Sequence, residues 1–206
     1  MLYQRYGKRT LDVAAAGLGL ILTSPILLVV GAGVWLTTGR PILFPQERAG
    51  RHGKAFRAWK IRTMRSMPDG ASDALSEHER ITAVGRWLRR TSIDELPQLW
   101  NVMRGDMSLV GPRPLLLRYR DYYAPQELER FSLRPGITGW AQVNGRNDLA
   151  LDARLRHDVW YVRHCSLGLD LRILGLTLRH LVTGEGFSAD PRSTLRDLDQ
   201  VRGRQA

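Results

Sequence analysis

The sequence predicts a mixed α/β domain that is predominantly α-helical and carries an N-terminal membrane element and a small β-hairpin. Three observations support this prediction. A nearly uncharged run occupies residues 11–38, later segments repeat apolar residues at helical spacing, and two short extended segments flank a glycine turn. At 206 residues, the chain has room for one domain plus such an element, but not for two full domains.

The N-terminal run is the first element. It follows a basic segment, residues 1–9, and contains one charged residue, Asp12. It is longer than the apolar region of a signal peptide, and no small-residue cleavage site ends it. About 20 apolar residues suffice to span a bilayer. However, Ser24-Pro25 lies in the middle of the run, and proline removes a backbone hydrogen bond and kinks a helix.

Basic residues also follow the run, beginning with Arg40 and Arg48. Because positively charged flanks stay on the cytoplasmic side, basic residues at both ends favour placing both ends there. A helix that enters the bilayer, bends at Ser24-Pro25 and leaves on the same face satisfies this, with the serine hydroxyl available to a freed carbonyl. The residues alone leave this re-entrant path and a kinked span equally open.

Residues 39–188 are predicted to form one domain, and residues 189–206 form a charged tail of mixed sign for which we expect loose order. The domain begins with the hairpin, within residues 41–64. Residues 67–79 are small, polar and acidic, which is typical of a loop.

The remaining elements of the domain are helices and a glycine-rich loop. Residues 134–147 contain three glycines and a proline, which predicts a loop that presents polar groups. Apolar residues at helical spacing predict helices at residues 80–90, 115–131 and 167–182.

The charge composition indicates an anionic partner. Lys plus Arg total 31 against 20 Asp plus Glu, a formal net charge of +11. Nucleic acid, anionic lipid and phosphorylated substrate all fit this charge. The single cysteine, Cys165, excludes an internal disulfide and fits a reducing compartment, and we interpret it as structural. The five histidines show no metal-ligand spacing.

The segment most informative about chemistry is residues 91–114. Asp94 and Glu95 are predicted to lie at the start of a helix, because Ser92 is a good cap and Pro97 is tolerated in a first turn. A purely structural alternative is that Ser92 and Glu95 form a capping box while Asp94 complements the helix dipole.

Arg113 lies between Pro112 and Pro114, which confines it to an extended conformation. A guanidinium aimed in this way suits a phosphate or a carboxylate. If the anion is a phosphate, Asp94 and Glu95 would repel it unless a hard cation lies between them. Magnesium is the predicted cation, since it takes one or two carboxylates plus phosphate oxygens. One carboxylate can then hold the metal while the other attacks phosphorus.

Long ordered motifs in the chain resemble the signature of the bacterial sugar transferases, which are monotopic phosphoglycosyl transferases. They are residues 92–98 (SIDELPQ), 101–114 (NVMRGDMSLVGPRP) and 134–147 (RPGITGWAQVNGRN). Lys8, Arg9 and Asp12 also match the basic and acidic stretch that precedes a Ser-Pro break in this family. The resemblance covers about residues 8–183.

The resemblance implies a monotopic protein on the cytoplasmic face of a bacterial inner membrane, anchored by a re-entrant helix broken at Ser24-Pro25. It also implies transfer of a sugar-1-phosphate from a UDP-sugar to polyprenyl (undecaprenyl) phosphate, with release of UMP. In the family this reaction starts glycoconjugate assembly on the membrane, for O-antigen, capsule, exopolysaccharide or glycoprotein glycan.

The resemblance also implies roles for residues of the site. Asp94 is the expected nucleophile of a ping-pong mechanism with a covalent aspartyl-phosphosugar intermediate. Glu95 is the expected Mg²⁺ ligand, with Asp94 beside the metal, and Arg113 is expected to hold a phosphate. Further candidates for binding substrate phosphate or nucleotide are Lys60, Arg62 and Arg146.

Two other classes of protein fit parts of the sequence. A nucleic-acid-binding module would explain the charge, but the basic residues are spread along the chain without a helix-turn-helix, zinc or RNA-binding signature. A non-catalytic membrane adaptor would explain the N-terminus, but not Asp94, Glu95 and Arg113 together. We therefore expect UDP-sugar, polyprenyl phosphate and membrane lipid as partners, with no nucleic acid. The sequence does not identify the sugar, and it is compatible with a homodimer.

Overall fold

The computed structural model describes residues 3–65, 80–145 and 150–183. The helices in this part are α1 (Lys8–Thr38), α2 (Ala83–Thr91), α3 (Gln98–Arg104), α4 (Trp140–Val143), α5 (Leu151–His164) and α6 (Leu167–Thr183). The strands are β1 (Leu43–Ala49), β2 (Ala55–Ile61), β3 (Ser108–Val110) and β4 (Gly136–Thr138). The predicted mixed, predominantly helical fold is confirmed. Predictions for residues 67–79 and 189–206 lie outside the described residues.

Shorter helical turns connect these elements. A π-helical turn, Tyr3–Gly7, precedes α1, and 3-10 turns occupy Arg51–Gly53, Ile93–Glu95, Leu117–Tyr122 and Pro125–Ser132. The helices predicted for residues 80–90 and 167–182 are confirmed as α2 and α6. The helix predicted for residues 115–131 is wrong in type, because this segment forms two 3-10 turns. Ala124 separates them in an extended conformation, as expected for a residue before proline.

β1 and β2 form the predicted hairpin, antiparallel along their whole length. The buried side chain of Asn101 in α3 attaches the hairpin to the rest of the domain. Its oxygen accepts a hydrogen bond from the Trp59 amide at 3.0 Å, and its nitrogen donates to the Arg57 carbonyl at 2.8 Å. These two bonds satisfy both polar groups of a buried amide, so they set the position of β2 against α3.

β3 and β4 form a parallel pair that the sequence analysis did not predict. The two strands approach closely where glycines remove side chains, since a β-carbon on Gly136 would lie 2.1 Å from the Gly111 nitrogen. The loop prediction for residues 134–147 is therefore wrong where β4 and α4 form. Strands of three residues carry too little periodicity to be seen in the sequence, and they depend on pairing with a distant segment.

α1 is helical without interruption through Ser24-Pro25. Pro25 has no N–H, so the carbonyl of Ile21, four residues earlier, loses its usual partner. The Ser24 hydroxyl donates to that carbonyl at 2.8 Å, the bond that the sequence made available. The predicted break is therefore not an interruption of helical structure, because a neighbouring side chain replaces the missing donor.

One side of α1 packs along the domain, and the opposite side is exposed. Ala16 packs with Leu99 and Val102 in one apolar cluster, and Val34 packs with Ile61 and Leu88 in another. Both halves of α1 thus contact the same domain. Over the part of the chain that the structure describes, α1 is the helix that is long and apolar enough to cross a membrane. Its large exposed apolar residues are Leu11, Leu18, Ile21, Leu22, Ile26, Leu28, Val29, Trp35 and Leu36.

Three polar residues tie the N-terminal end of α1 to the domain. The Lys8 ammonium lies 2.6 Å from a carboxylate oxygen of Asp170 in α6, and both residues are buried. Arg9 donates to two carbonyls at the C-terminal end of α3, where carbonyls lack partners within the helix. Asp12 accepts from the Leu109 amide at 3.0 Å. This stretch therefore fixes α1 against α3, β3 and α6.

We expect Asp170→Asn to destabilise the protein strongly. The substitution leaves the buried Lys8 ammonium without a counter-ion, which costs about 3 kcal/mol or more. For a chain of this size that loss lowers Tm by roughly 6–12 °C, which thermal unfolding in detergent can measure. The control Arg104→Gln breaks an exposed ion pair with Asp106, 3.7 Å long, and should lower Tm by less than about 3 °C. Similar small changes in both variants would contradict the prediction.

Candidate active site

Asp94 and Glu95 lie in the 3-10 turn Ile93–Glu95, between α2 and α3. Ser92, just before this turn, has a φ of 56° and forms the left-handed cap that ends α2. Its side chain makes no capping hydrogen bond, and the Glu95 carboxylate instead meets two cations. The capping-box alternative is therefore wrong. The structure turns Glu95 towards the hairpin, away from the helix end.

Two cations from different parts of the chain hold Glu95. Its Oε1 atom accepts a hydrogen bond from Lys60 Nζ in β2 at 2.7 Å and from an Arg113 terminal nitrogen at 3.1 Å. Burial alone would raise the pKa of Glu95, but the charges of Arg113 and Lys60 outweigh it, and the pKa falls to about 2. The charge of Glu95 in turn raises the pKa of Arg113. Glu95 is therefore an anion throughout the neutral range.

Asp94 has the opposite environment. Only 6% of the residue is exposed, and no hydrogen bond or ion pair from another described residue reaches its carboxylate. Burial and the adjacent charge of Glu95 raise the pKa of Asp94, the cations Lys60, Arg89 and Arg113 partly offset this, and the pKa is about 6. Two neighbouring carboxylates with such different proton affinities are typical of a pair whose members have separate roles.

A narrow pocket opens beside Glu95, and the adjacent Asp94 is not among the residues that line it. Its lining residues are Arg48, Ala58, Lys60, Glu95, Gln98, Arg113, Pro114 and Gly136. Burial, together with the charge of Arg113, lowers the pKa of Arg48 to about 10, so Arg48 stays protonated at neutral pH. Three cations and one carboxylate line the pocket, and this excess of positive charge suits an anionic substrate.

The sequence analysis missed Arg48 as a site residue. Strand alternation could have identified it once the register of the hairpin was known. Arg48 pairs with Phe56, and Phe44 pairs with Lys60. Paired residues, and residues two apart on a strand, share one face of a hairpin. Arg48 and Lys60 therefore project from the same face, but the sequence alone does not supply the register.

The structure brings together some of the predicted site residues and not others. Asp94, Glu95, Lys60 and Arg113 meet as described above. Arg62 donates to the backbone carbonyls of Met64 and Arg40, at 2.9 and 3.0 Å. It does not line the pocket, because these bonds direct it to the base of the hairpin. Arg146 lies outside the described residues.

The acid pair offers the ligands that Mg²⁺ prefers. Within the described ranges, no cluster of three or more His, Cys, Asp and Glu side chains could hold a metal. However, Mg²⁺ commonly takes only one or two carboxylates and completes its shell with water and substrate phosphate. Both ion pairs of Glu95 end on Oε1, which leaves Oε2 for a further ligand. Asp94 is a buried carboxylate that has no partner among the described residues, so the pair fits this ion.

We expect Asp94→Asn to stabilise the protein at pH 8 in the absence of divalent cations. The folded-state pKa of Asp94, about 6, lies above its ordinary value of 3.8. The folded state therefore binds the extra proton between these pH values, and the free energy of unfolding falls as pH rises through this window. Above it, the buried charge costs about 2–3 kcal/mol, which asparagine removes.

Thermal unfolding at pH 8 and pH 4.5 measures this effect. The gain from Asp94→Asn should shrink at pH 4.5, where the aspartate is mostly protonated. Glu95→Gln is the matched control and should lower Tm at both pH values. Its folded-state pKa of about 2 keeps Glu95 charged at both, and the substitution leaves Lys60 and Arg113 without a partner. A lower Tm for Asp94→Asn at pH 8 would show that an unseen contact stabilises this carboxylate.

Comparison with known proteins identifies the family of the chain. The family described as bacterial sugar transferase matches residues 3–184 of the chain. An uncharacterized sugar transferase, EpsL, of Bacillus subtilis is 48% identical over 180 residues, which cover 87% of this chain and 89% of that protein. A UDP-glucose:undecaprenyl-phosphate glucose-1-phosphate transferase of Caulobacter vibrioides is 44% identical over 186 residues, 85% of this chain and 70% of that protein.

A third relative carries a different sugar in its name. It is the UDP-N-acetylgalactosamine-undecaprenyl-phosphate N-acetylgalactosaminephosphotransferase of Aeromonas hydrophila. It is 40% identical over 187 residues, which cover 87% of this chain and 44% of that protein. With a family match over nearly the whole chain and identities of this size, the chain belongs to the bacterial sugar transferase family.

Proposed function

We propose that this protein transfers a sugar-1-phosphate from a UDP-sugar to polyprenyl (undecaprenyl) phosphate and releases UMP. The reaction would proceed by a ping-pong mechanism through a covalent phosphosugar on Asp94. The names of two relatives support the reaction class, since both describe sugar phosphate transfer to undecaprenyl phosphate. The reaction would be the membrane-committed first step in building a bacterial glycoconjugate.

The observation that carries this proposal is the contrast between the two adjacent acids. Glu95 is fixed as an anion by Lys60 and Arg113, and its Oε1 atom is engaged in both ion pairs. Asp94 is buried and has no protein partner among the described residues. A carboxylate in this state has lost solvation without gaining hydrogen bonds, which leaves its lone pairs available for attack. Asp94 is therefore the nucleophile of the pair.

In the first half-reaction, a carboxylate oxygen of Asp94 attacks the phosphorus that bears the sugar. The bond between this phosphorus and the oxygen that links it to UMP breaks, and UMP leaves with that oxygen. In the second half-reaction, a phosphate oxygen of the polyprenyl carrier attacks the same phosphorus. The bond to Asp94 then breaks, the carboxylate is restored, and the lipid carries the sugar through a diphosphate.

Cations around the pocket balance the charge on the reacting phosphates. Arg48, Lys60 and Arg113 line the pocket beside the acids, and ammonium and guanidinium groups have further donors for phosphate oxygens. When bound at Glu95 and Asp94, Mg²⁺ would neutralise phosphate charge and orient the phosphorus for in-line attack. Electrostatic stabilisation of this kind supplies most of the catalysis in phosphoryl transfer.

We also propose that α1 enters the inner membrane from the cytoplasmic face and returns to it. The exposed apolar face of α1 supports membrane insertion. The contacts of Ala16 and Val34 with the same domain support a path that does not separate the two ends of the helix. Basic residues at both ends favour the cytoplasmic face. The lipid acceptor would then reach the site from the same membrane surface.

The sugar is the part of the substrate on which the relatives differ, since one name specifies glucose and another N-acetylgalactosamine. A panel of UDP-sugars assayed for UMP release would identify the donor. The proposed chemistry occurs at phosphorus and leaves the sugar carbons untouched, so the same acid pair serves either sugar.

We expect purified protein to release about one UMP per site when it is incubated with Mg²⁺ and a suitable UDP-sugar but no polyprenyl phosphate, as a covalent first half-reaction requires. The peptide that contains Asp94 should gain the mass of the phosphosugar. Quenched-flow UMP measurement and mass spectrometry of the digested protein record these two quantities.

The matched variants separate the two acids. Asp94→Asn should abolish both the UMP burst and the adduct. Glu95→Gln should retain the adduct but form it more slowly, by about 10²-fold, with a weaker dependence on Mg²⁺. An undiminished adduct in Asp94→Asn, or UMP release only in the presence of the lipid acceptor, would favour direct attack by the acceptor.

A re-entrant α1 predicts that both of its ends face the cytoplasm. Thr10→Cys and Arg40→Cys, each in a Cys165→Ala background, should be protected from an impermeant maleimide in intact spheroplasts. Both should react after lysis, which controls for the reactivity of the thiols. Labelling of one position alone in intact spheroplasts would establish a span across the membrane.

A further inference from the structure

A buried ion pair lies behind Arg113 and takes no part in the proposed chemistry. Arg130 and Asp158 have side chains that are only 2% and 3% exposed. Two guanidinium nitrogens of Arg130 donate to the same Asp158 oxygen, Oδ2, at 2.7 and 3.2 Å. The second oxygen, Oδ1, is buried without a hydrogen-bond partner in the described part of the chain.

The Arg130 guanidinium also bonds directly to the backbone of Arg113. The nitrogen that lies 2.7 Å from Asp158 also donates to the Arg113 carbonyl at 2.6 Å. The remaining terminal nitrogen donates to the Tyr123 hydroxyl at 3.2 Å. The rings of Tyr123 and Phe131 lie 5.5 and 5.3 Å from the guanidinium. The guanidinium is thus fixed by Asp158, Tyr123 and the two rings, and the one backbone carbonyl to which it donates is that of Arg113.

Burying this pair is not an efficient way to stabilise a fold. Desolvation of two charges offsets most of their attraction, and apolar residues of similar size often serve as well. The surroundings could accept such residues, since Tyr123, Phe131 and Leu155 form an apolar cluster here. A role in fixing geometry accounts for the pair better than a role in stability does.

The geometry that the pair fixes is that of Arg113. Pro112 and Pro114 flank Arg113, and their rings hold the backbone torsions on both sides. Because both prolines restrict the backbone, fixing the Arg113 carbonyl also fixes the position of its Cα atom and the direction of its side chain. That side chain then reaches Glu95 Oε1 at 3.1 Å. The chain of contacts from Asp158 to Glu95 is continuous.

We infer that Arg130 and Asp158 are positioning residues that hold Arg113 in place for substrate phosphate. Neither touches the acid pair, and each acts through the Arg113 backbone. The consequence for catalysis rests on the proposed function, whereas the positioning itself can be measured without it.

A neighbouring ion pair supplies a matched control. Glu129 precedes Arg130 in the same 3-10 turn, and it pairs with Arg163, which lies in α5 with Asp158. Arg163 also uses two nitrogens on one carboxylate oxygen, at 2.6 and 2.9 Å. This pair joins the same two elements but is exposed and makes no bond to Arg113. Glu129→Gln therefore tests the docking of α5 alone.

Deuterium exchange in the full-length protein tests the positioning directly. Asp158→Asn should raise deuterium uptake in the peptide spanning residues 111–117, and Glu129→Gln should not. If Asp158→Asn does not fold, Tyr123→Phe takes its place, since it removes one hydrogen bond to Arg130 and keeps the ring. Equal uptake in the control and in the folded test variant would overturn the inference.

Kinetic measurements test whether Arg130 and Asp158 affect catalysis through Arg113. The donor is whichever of UDP-glucose and UDP-N-acetylgalactosamine gives the faster UMP release with wild-type protein. Asp158→Asn or Tyr123→Phe should reduce the rate of UMP release in the wild-type background, with Asp158→Asn losing about tenfold. Neither should reduce it appreciably further in an Arg113→Ala background, because Arg113 is already gone.

Losses that multiply fully in the double variant would mean that Arg130 and Asp158 act independently of Arg113, and would overturn the inference. Wild-type protein that releases no UMP from any UDP-sugar would contradict the proposed function instead. In that case the deuterium uptake of residues 111–117 would still decide the positioning.

Discussion

The buried amide of Asn101 joins the pieces of chain that carry the charged groups of the site. Its side chain bonds to Trp59 and Arg57 in β2, and its backbone carbonyl accepts from the amides of Gly105, Asp106 and Met107. The first set places the hairpin, and with it Arg48 and Lys60, against α3. The second set turns the chain from α3 towards β3 and Arg113. Both sets of bonds therefore contribute to the position of the cations relative to the acid pair.

The site separates the proton affinities of two carboxylates that are adjacent in the sequence. Glu95 receives both nearby cations and loses its affinity for protons, whereas Asp94 is buried and gains proton affinity. Such a separation is unfavourable for stability, because an uncompensated buried charge raises the free energy of the fold. Carboxylates whose pKa is perturbed at a cost in stability are common where the carboxylate must react. A divalent cation bound at the acid pair would bring the positive charge that the protein withholds from Asp94.

In α1, missing hydrogen-bond partners are also replaced by groups that lie close by. Pro25 removes a donor, and the Ser24 hydroxyl supplies another to the same carbonyl. The last carbonyls of α3 have no i+4 amide within the helix, and Arg9 donates to two of them, those of Val102 and Met103. α1 is thus attached by polar contacts at its N-terminal end and by apolar contacts along its length, while its outer face stays apolar. A helix held in this way has a fixed position against the domain.

The sequence by itself determined the elements that depend on local patterns. The apolar run predicted α1, and the extended segments beside a glycine turn predicted the hairpin. Apolar residues at helical spacing predicted α2 and α6. It also predicted roles for Asp94, Glu95 and Arg113, whose motifs resemble those of a known family, with Lys60 as a further candidate. The tertiary structure decided which charges meet. Lys60 and Glu95 are 35 residues apart, and Arg130 and Asp158 are 28 apart.

The dependence on contacts between distant residues also explains which sequence predictions were wrong. The pattern Ser92-x-x-Glu95 is compatible with a capping box, but in the folded chain Glu95 pairs with Lys60 and Arg113, which are distant in sequence. Arg48 and Arg62 are equally basic residues of one hairpin region, yet Arg48 lines the pocket and Arg62 does not, because Arg62 donates to the carbonyls of Met64 and Arg40 beyond the end of β2. β3 and β4 exist only because each supplies the other's hydrogen bonds. Periodicity and capping are properties of neighbouring residues, whereas ion pairs, register and strand pairing depend on contacts that form only when the chain has folded.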